Sequence, residues 1–187
     1  LGGVCKIIST LDSDGTIHHT SKIHQILFGE LEPSQKDFCL QLEQVLSKAS
    51  FKVKYTENIL NEIWSKYAFI VVFSGVTSAG DLTTDQIYAH EATKDLYRRS
   101  LEEMSGLAAA YGVDLGEDFV SQNVEGLSKY PKGSTSSMHQ DKRKGLPLEV
   151  ESLQGAAIRL ASNKGLELPT VRTLYALIKP YEMGREG

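Results

Sequence analysis

Residues 58–74 read NILNEIWSKYAFIVVFS, and from Tyr67 to Phe73 every position is aromatic or aliphatic. A helix with no polar side belongs inside a protein core or a bilayer. The continuous apolar run is far shorter than the roughly 20 residues that a membrane span needs, so the segment is predicted to be a core helix. Such a helix must be wrapped by other elements. A chain of 187 residues can do this as one medium domain or two small ones.

The residue pattern changes on either side of this segment. Ahead of it, VCKIISTL at 4–11 and IHQILFGEL from Ile23 read as strands, with the turn signal DSDG at 12–15 between them. QKDFCLQLEQVLSK at 35–48 places Phe38, Leu42, Val45 and Leu46 on one helical face. FKVKYT at 51–56 alternates, with Phe51, Val53 and Tyr55 facing one way and Lys52 and Lys54 the other. Beyond residue 57 the period is helical. One helix is predicted over 86–111, with Tyr97, Leu101, Met104, Ala108 and Tyr111 on its inner face and Gly112 as its stop. A shorter helix fits 117–128, with Phe119, Val120, Val124 and Leu127 inward, and others follow at 137–144, 148–164 and 170–179. The expected fold class is therefore α+β, mostly α. Residues 1–56 form a β-β-α-β piece, and residues 57–187 form an all-helical domain.

Charge and side-chain chemistry exclude several functions. A formal net charge of -4 offers no basic field to displace counterions from phosphates, so no nucleic-acid partner is expected. Cys5 and Cys39 lack metal-type spacing and fit a reduced, cytoplasmic protein. DSDG fails as a calcium loop, because position twelve would be Ile23 rather than an acidic ligand. His18, His19 and His24 lack zinc spacing, and no metal is expected. Ser137, His139 and Asp141 have the residue types of a hydrolase triad. On a helix, however, residues two apart point about 200° apart, so His139 faces away from the other two. Neither a GxGxxG nor a P-loop pattern occurs in the chain.

Three places remain as candidates for chemistry. Lys66 sits between Trp64 and the apolar run, where a lysine must snorkel, pair or be retained as a proton donor. Ser136 and Ser137 are N-cap candidates, because serine oxygens accept the first amides of a helix. Pro147 and Glu149 suit a second helix start. Two helix N-termini separated by the basic turn at 142–144 would form a polar corner that tolerates an anion.

At these residues the sequence resembles the ketopantoate reductase (2-dehydropantoate 2-reductase) family. The stretch IWSKYAFIVVFSGVTS at 63–78 is similar to that family's W-x-K helix, and LEEMSGLAAAYGVDL at 101–115 to its E-x-x-x-x-A-x-x-x-G segment. SSMHQDKRKGLPLEVESLQG at 136–155 is the most specific match, to S-S-M-x-Q-D, a basic turn, then E and G. GLELPT at 165–170 fits the G-x-x-x-P-T that follows. GGV, DGTIHH and FGEL near the start resemble the end of the family's cofactor domain.

The resemblance implies the end of a Rossmann-type NADP(H) domain in residues 1–56. After it comes a helical substrate domain of the 6-phosphogluconate dehydrogenase C-terminal-like type in 57–187, with the glycine-rich half lying ahead of Leu1. It implies reduction of a 2-oxo acid, most specifically 2-dehydropantoate to pantoate in pantothenate biosynthesis. Lys66 then matches the catalytic lysine, Glu149 the active-site glutamate and Ser137 a substrate-binding serine. The family pattern has asparagines four and eight residues after the lysine. These positions are Ile70 and Ser74 here, so Ser74 keeps a hydrogen-bonding group and Ile70 does not. Two other readings accompany this one: a related reductase for another 2-oxo acid, and a non-catalytic helical interaction module. Long helices with apolar faces also suit a homodimer.

Overall fold

The computed structural model describes residues 1–184. The chain forms two compact units, Leu1–Lys66 and Tyr67–Gly187.

In the first unit, strands β1 (Gly2–Leu11) and β2 (Ile17–Gly29) form an antiparallel hairpin. Its turn is closed by the Gly15 amide on the Asp12 carbonyl at 3.0 Å and the Thr16 amide on the Asp14 carboxylate at 2.9 Å. Strand β2 begins at Ile17, six residues before the expected Ile23, because pairing with Ser9, Thr10 and Leu11 extends it towards the turn. Helix α1 (Lys36–Leu46) then crosses to β3 (Lys52–Tyr55), which pairs parallel to β2 through Ile26–Val53 and its neighbours. The β-β-α-β order and the inward Val53 and Tyr55 match the alternation in the sequence.

The inner face of α1 differs from expectation. Cys39 is fully buried and Leu42 and Leu46 are half-buried, whereas Phe38 and Val45 are 57% and 68% exposed. The buried stripe 39–42–46 also brings Glu43 round, and its carboxylate accepts the Tyr55 amide at 2.7 Å. Gly29 has a steric reason. A Cβ there would stand 2.1 Å from the Thr56 carbonyl oxygen, so only glycine lets β2 pass that close.

Helix α2 (Ile59–Gly80) runs through the division between the units. All 22 of its residues together are long and apolar enough to cross a bilayer by length and composition, and 44% of its most apolar window is buried within the fold. In the helical unit Ala68, Val71, Val72 and Val76 of α2 are buried, Gly75 of α2 lies against Leu174 of α8 (Pro169–Ile178), and α8 packs on α4 (Glu91–Ala110), with Tyr97, Leu101, Met104, Leu107, Val171 and Ile178 sealed from solvent. The single helix expected over 86–111 is two, α3 (Thr84–Ala89) and α4, broken at His90 in an extended conformation. Two hydrogen bonds stabilise the break. The Gln86 side chain accepts the Thr83 amide at 2.9 Å, which starts α3 early. The Thr93 hydroxyl donates to the Ile87 carbonyl at 2.9 Å, where the ladder is interrupted.

Helix α5 (Phe119–Gly126) and α6 (Ser137–Lys144) follow as expected, with Val120 only half-buried. The segment expected as a helix from 148 instead starts with a π-helical turn, Glu151–Gly155, which leads into α7 (Ala156–Asn163). Glu103 of α4 accepts the Thr170 and Val171 amides at 2.7 and 2.9 Å. A carboxylate therefore caps the N-terminus of α8. Two motifs far apart in the sequence, the Glu103 segment and Pro169-Thr170, meet at this cap.

Candidate active site

Lys66 belongs to the first unit, where it is half-buried and its ammonium donates to the Cys5 carbonyl at 2.7 Å. It is therefore anchored to a strand rather than extended into water. Cys5 and Cys39 are both free thiols.

In the helical unit, α2 buries Ala68, Val71, Val72 and Ser74 through Ser78, but leaves Phe69, Ile70 and Phe73 half-exposed. The helix is thus not enclosed on every side as its composition predicts. Phe69 and Phe73 stack with centroids 5.2 Å apart, and Phe73 stacks on Tyr130 at 5.8 Å, with interplanar angles of 15° and 19°. Ser74 is turned inward and only 3% exposed. Its hydroxyl donates to the Ile70 carbonyl at 2.6 Å and accepts from the buried Gln154 amide at 3.0 Å. The same Gln154 amide donates to the Val71 carbonyl at 2.7 Å, which fixes its orientation, because a carbonyl can only accept.

Of the two cap candidates, Ser136 takes the role. Its side chain accepts the His139 amide at 3.1 Å and shares a 2.7 Å hydrogen bond with Thr77 of α2. Ser137 is the first helical residue, and its exposed side chain is not used as a cap. His139 does face away from Ser137. It is fully buried, its ring bonding the Thr135 hydroxyl through Nδ1 at 2.6 Å and the Asp81 carboxylate through Nε2. Burial pushes the His139 pKa down, and the His139 hydrogen bond holds the Asp81 carboxyl below its ordinary value. Asp81 adopts φ 52°, unusual for a residue with a side chain, at the point where the chain leaves α2.

The basic turn does not form the expected anion-tolerant corner. Lys142 donates to the Ser78 carbonyl at 2.6 Å and lies over the Tyr181 ring, while Arg143 pairs with Asp81 at 3.3 Å. These contacts serve the C-terminal end of α2, where orphan carbonyls and a negative dipole end attract cations. Ser136, His139 and Lys142 together clamp α6 to the last two turns of α2.

Glu149 is exposed just before the π turn, and its backbone carbonyl accepts the Ser152 and Leu153 amides at 3.1 and 3.0 Å. The side-chain anchor of this turn is Glu151. Its carboxylate accepts from Tyr175 at 2.5 Å, Lys179 at 2.6 Å and Arg159 at 2.7 Å. The Lys179 and Tyr175 hydrogen bonds bring the Glu151 pKa down to about 2, and Lys179 is raised in turn. Gly155 makes room for this arrangement, since a Cβ there would stand 2.6 Å from Glu151 Oε2. The resulting π turn presents Gln154 to Ser74. Such turns recur where a helix must re-aim a side chain.

The helical unit therefore joins Ser74 to Gln154, and Ser136 to Thr77. Glu149 stands at the π turn, and Lys66 is held by β1. Neither Gln154 nor the Asp81–His139 pair stood out in the sequence, because their partners are dozens of residues away. Among the described residues, no group of three His, Cys, Asp or Glu side chains could hold a metal ion.

The C-terminal domain model of ketopantoate reductase PanE/ApbA matches residues 58–182. An uncharacterized oxidoreductase, YkpB of Bacillus subtilis, is 30% identical over 182 residues, covering 97% of this chain and 60% of that protein. The crystal structure of 2-dehydropantoate 2-reductase from Methylococcus capsulatus aligns with a TM-score of 0.83 and 27% identity, covering 96% of this chain and 62% of that one. A dimeric ketopantoate reductase from Staphylococcus aureus aligns with a TM-score of 0.83 and 23% identity, over 96% and 61%. The chain spans about three fifths of the length of the relatives it matches.

Proposed function

This chain belongs to the ketopantoate reductase family, and from that premise we propose that it is the C-terminal portion of an NADP(H)-dependent reductase of a 2-oxo acid. In this reading residues 1–56 end the Rossmann-type cofactor domain and 57–187 form the substrate domain. The reading is supported by Lys66, which the motif resemblance of residues 63–78 would make the family's lysine and whose ammonium donates to the Cys5 carbonyl.

Among the described residues there is no glycine-rich cradle for a dinucleotide phosphate. In this reading the glycine-rich cradle would belong to the part of the relatives' length that this chain does not span, and the chain by itself is expected to be inactive. Reduced nicotinamide would supply a hydride for C2 of the oxo acid. The ketone oxygen gains negative charge in that step, and the Lys66 ammonium stabilises it, donates a proton to it and regains one from water. Ser137 would bind the substrate carboxylate with its exposed hydroxyl at the first turn of α6, where the helix dipole favours an anion. Glu149 would accept a hydrogen bond from substrate and hold the charge balance around the lysine. Ser74 reaches substrate only if its hydroxyl releases the Ile70 carbonyl, so its support for the wall behind Ile70 is its first role.

A cytoplasmic setting and a homodimer complete the proposal, the latter supported by the dimeric relative. In the full protein, Lys66→Ala should lower turnover with NADPH and a 2-oxo acid roughly 10²–10⁴-fold, with the fold intact and only the small loss of stability that one hydrogen bond to the Cys5 carbonyl implies. Turnover close to that of the unmodified protein would overturn the lysine assignment. Absence of NADPH oxidation with every 2-oxo acid would favour the non-catalytic module.

A further inference from the structure

We infer that the helical unit carries a binding site for a free α-amino acid with an apolar side group, in the surface cavity where the C-terminal ends of α2 and α6 meet residues 181–184. The inference is independent of the reductase reading. Every group it uses lies in the helical unit, and none is assigned to the reaction.

The cavity has a volume of about 220 Å³ and is lined by Asp81, Lys142, Arg143, Leu146 and Tyr181. It lies at the opposite end of α6 from Ser137, roughly 10 Å away along the helix. Its wall at residues 181–184 is held in place twice. The Leu148 amide donates to the Glu182 carbonyl at 2.8 Å. Gly184 comes so close to the end of α6 that a Cβ there would stand 2.4 Å from the Gly145 carbonyl oxygen.

Charge decides the ligand class. One carboxylate and two cations reach the cavity. The Lys142 ammonium is held by the Ser78 carbonyl and lies 4.5 Å from the centre of the Tyr181 ring. That leaves Asp81 and Arg143. His139 and the Arg143 Nε both bond Asp81 Oδ1. Among the described residues, Asp81 Oδ2 and the two terminal nitrogens of Arg143 make no hydrogen bond to protein. The two side chains are 67% and 52% exposed. A simple anion would meet the Asp81 carboxylate, and a simple cation would meet the Arg143 guanidinium. A ligand with both signs on one carbon satisfies both. Its ammonium donates to Asp81 Oδ2, and its carboxylate accepts from the Arg143 fork. Leu146 and Tyr181, 46% and 49% exposed, offer apolar surface to its side group. The fully buried His139 ring fixes Asp81 before any ligand arrives, which lowers the cost of binding.

The test is a ligand-observed NMR titration of the full protein. L-phenylalanine and L-leucine should bind with Kd of about 1 mM or below. Three probes each lack one part of the ligand: 3-phenylpropanoate the ammonium, 2-phenylethylamine the carboxylate and glycine the side group. Each should bind at least roughly tenfold more weakly than L-phenylalanine. Asp81→Asn keeps an oxygen for the His139 ring and a residue type that tolerates a positive φ. It should abolish the preference for L-phenylalanine over 3-phenylpropanoate. Arg143→Gln, at an exposed position, should abolish the preference over 2-phenylethylamine. Unfolding midpoints close to that of the unmodified protein would show that both variants are folded. No binding of either amino acid up to about 10 mM overturns the inference. So does equal binding of L-phenylalanine and 3-phenylpropanoate, or amino-acid binding that both variants leave intact. None of these outcomes bears on the reductase reading, which stands or falls on turnover.

Discussion

In the helical unit, Tyr97, Leu101, Met104 and Leu107 are wholly sealed from solvent, whereas in the β unit Ile8, Leu11, Ile17, Phe38 and Val45 are more than half exposed. The helical unit contains enough facing helices to close a core around α2. The β unit has three strands and one helix, and its interior reduces to a few side chains such as Val4, Leu27, Phe28, Cys39 and Ile59. Stability should therefore reside in the helical unit, while the β unit is held more by its ladder than by burial. The difference bears on the chemistry too. Ser137 and Glu149 stand on a framework clamped from several sides, and Lys66 depends on one hydrogen bond to a strand.

The sharpest way to break this comparison is to cut into each unit's apolar set. Met104→Ala should destabilise by about 2–5 kcal/mol, because it removes buried methylenes and leaves a cavity. Phe38→Ala should change stability by no more than about 0.5 kcal/mol. Denaturant unfolding measures both, and comparable losses would refute the comparison.

A second prediction concerns acid. Glu151 has a folded pKa of about 2 against an ordinary 4.5, so its contribution is fully present above 4.5 and is lost as pH falls towards 2. Its partner Lys179 is raised, so that half of the pair persists below the ordinary lysine value and weakens only in strong alkali. The unfolding midpoint of Glu151→Gln should lie below that of the unmodified protein at neutral pH. The gap should close between pH 4.5 and about 2. A gap of constant size across that range would show that Glu151 does not anchor the π turn through its charge.

The smallest expected effects separate two adjacent serines. Ser136→Ala removes a cap and should cost about 1 kcal/mol. Ser137→Ala should leave stability within about 0.5 kcal/mol and lower activity in the full protein. Equal losses of stability would return Ser137 to a structural role.

Much of the secondary structure was legible from periodicity alone. The β-β-α-β start, the inner face of α4 around Leu101 and Met104, and the glycine stop at Gly112, φ 79°, all follow local rules. Errors arose where a distant partner outweighed the local pattern. Helix α1 turned Cys39 inward and Phe38 outward because β3 required the Glu43 carboxylate. The helix break at His90 depended on side chains satisfying freed backbone groups, which an apolar period does not register. Both Ser136 and Ser137 could have capped α6, and the contact with Thr77 distinguished them.

The sequence alone determined that the apolar run of α2 needs partners to cover it and that a β piece precedes it, and its resemblance to one family's motifs singled out Lys66, Ser137 and Glu149. These properties depend on spacing along the chain, which hydrophobic period and residue type express directly. Only the tertiary structure decided which of those groups have hydrogen-bonding capacity to spare. It committed the Ser74 proton to Ile70, directed Lys142 and Arg143 to the end of α2, and left Ile70 and the stacked rings half-open. A hydrogen bond consumes a donor wherever its acceptor comes from, and for Lys142 and Arg143 that acceptor lies more than sixty residues away in sequence.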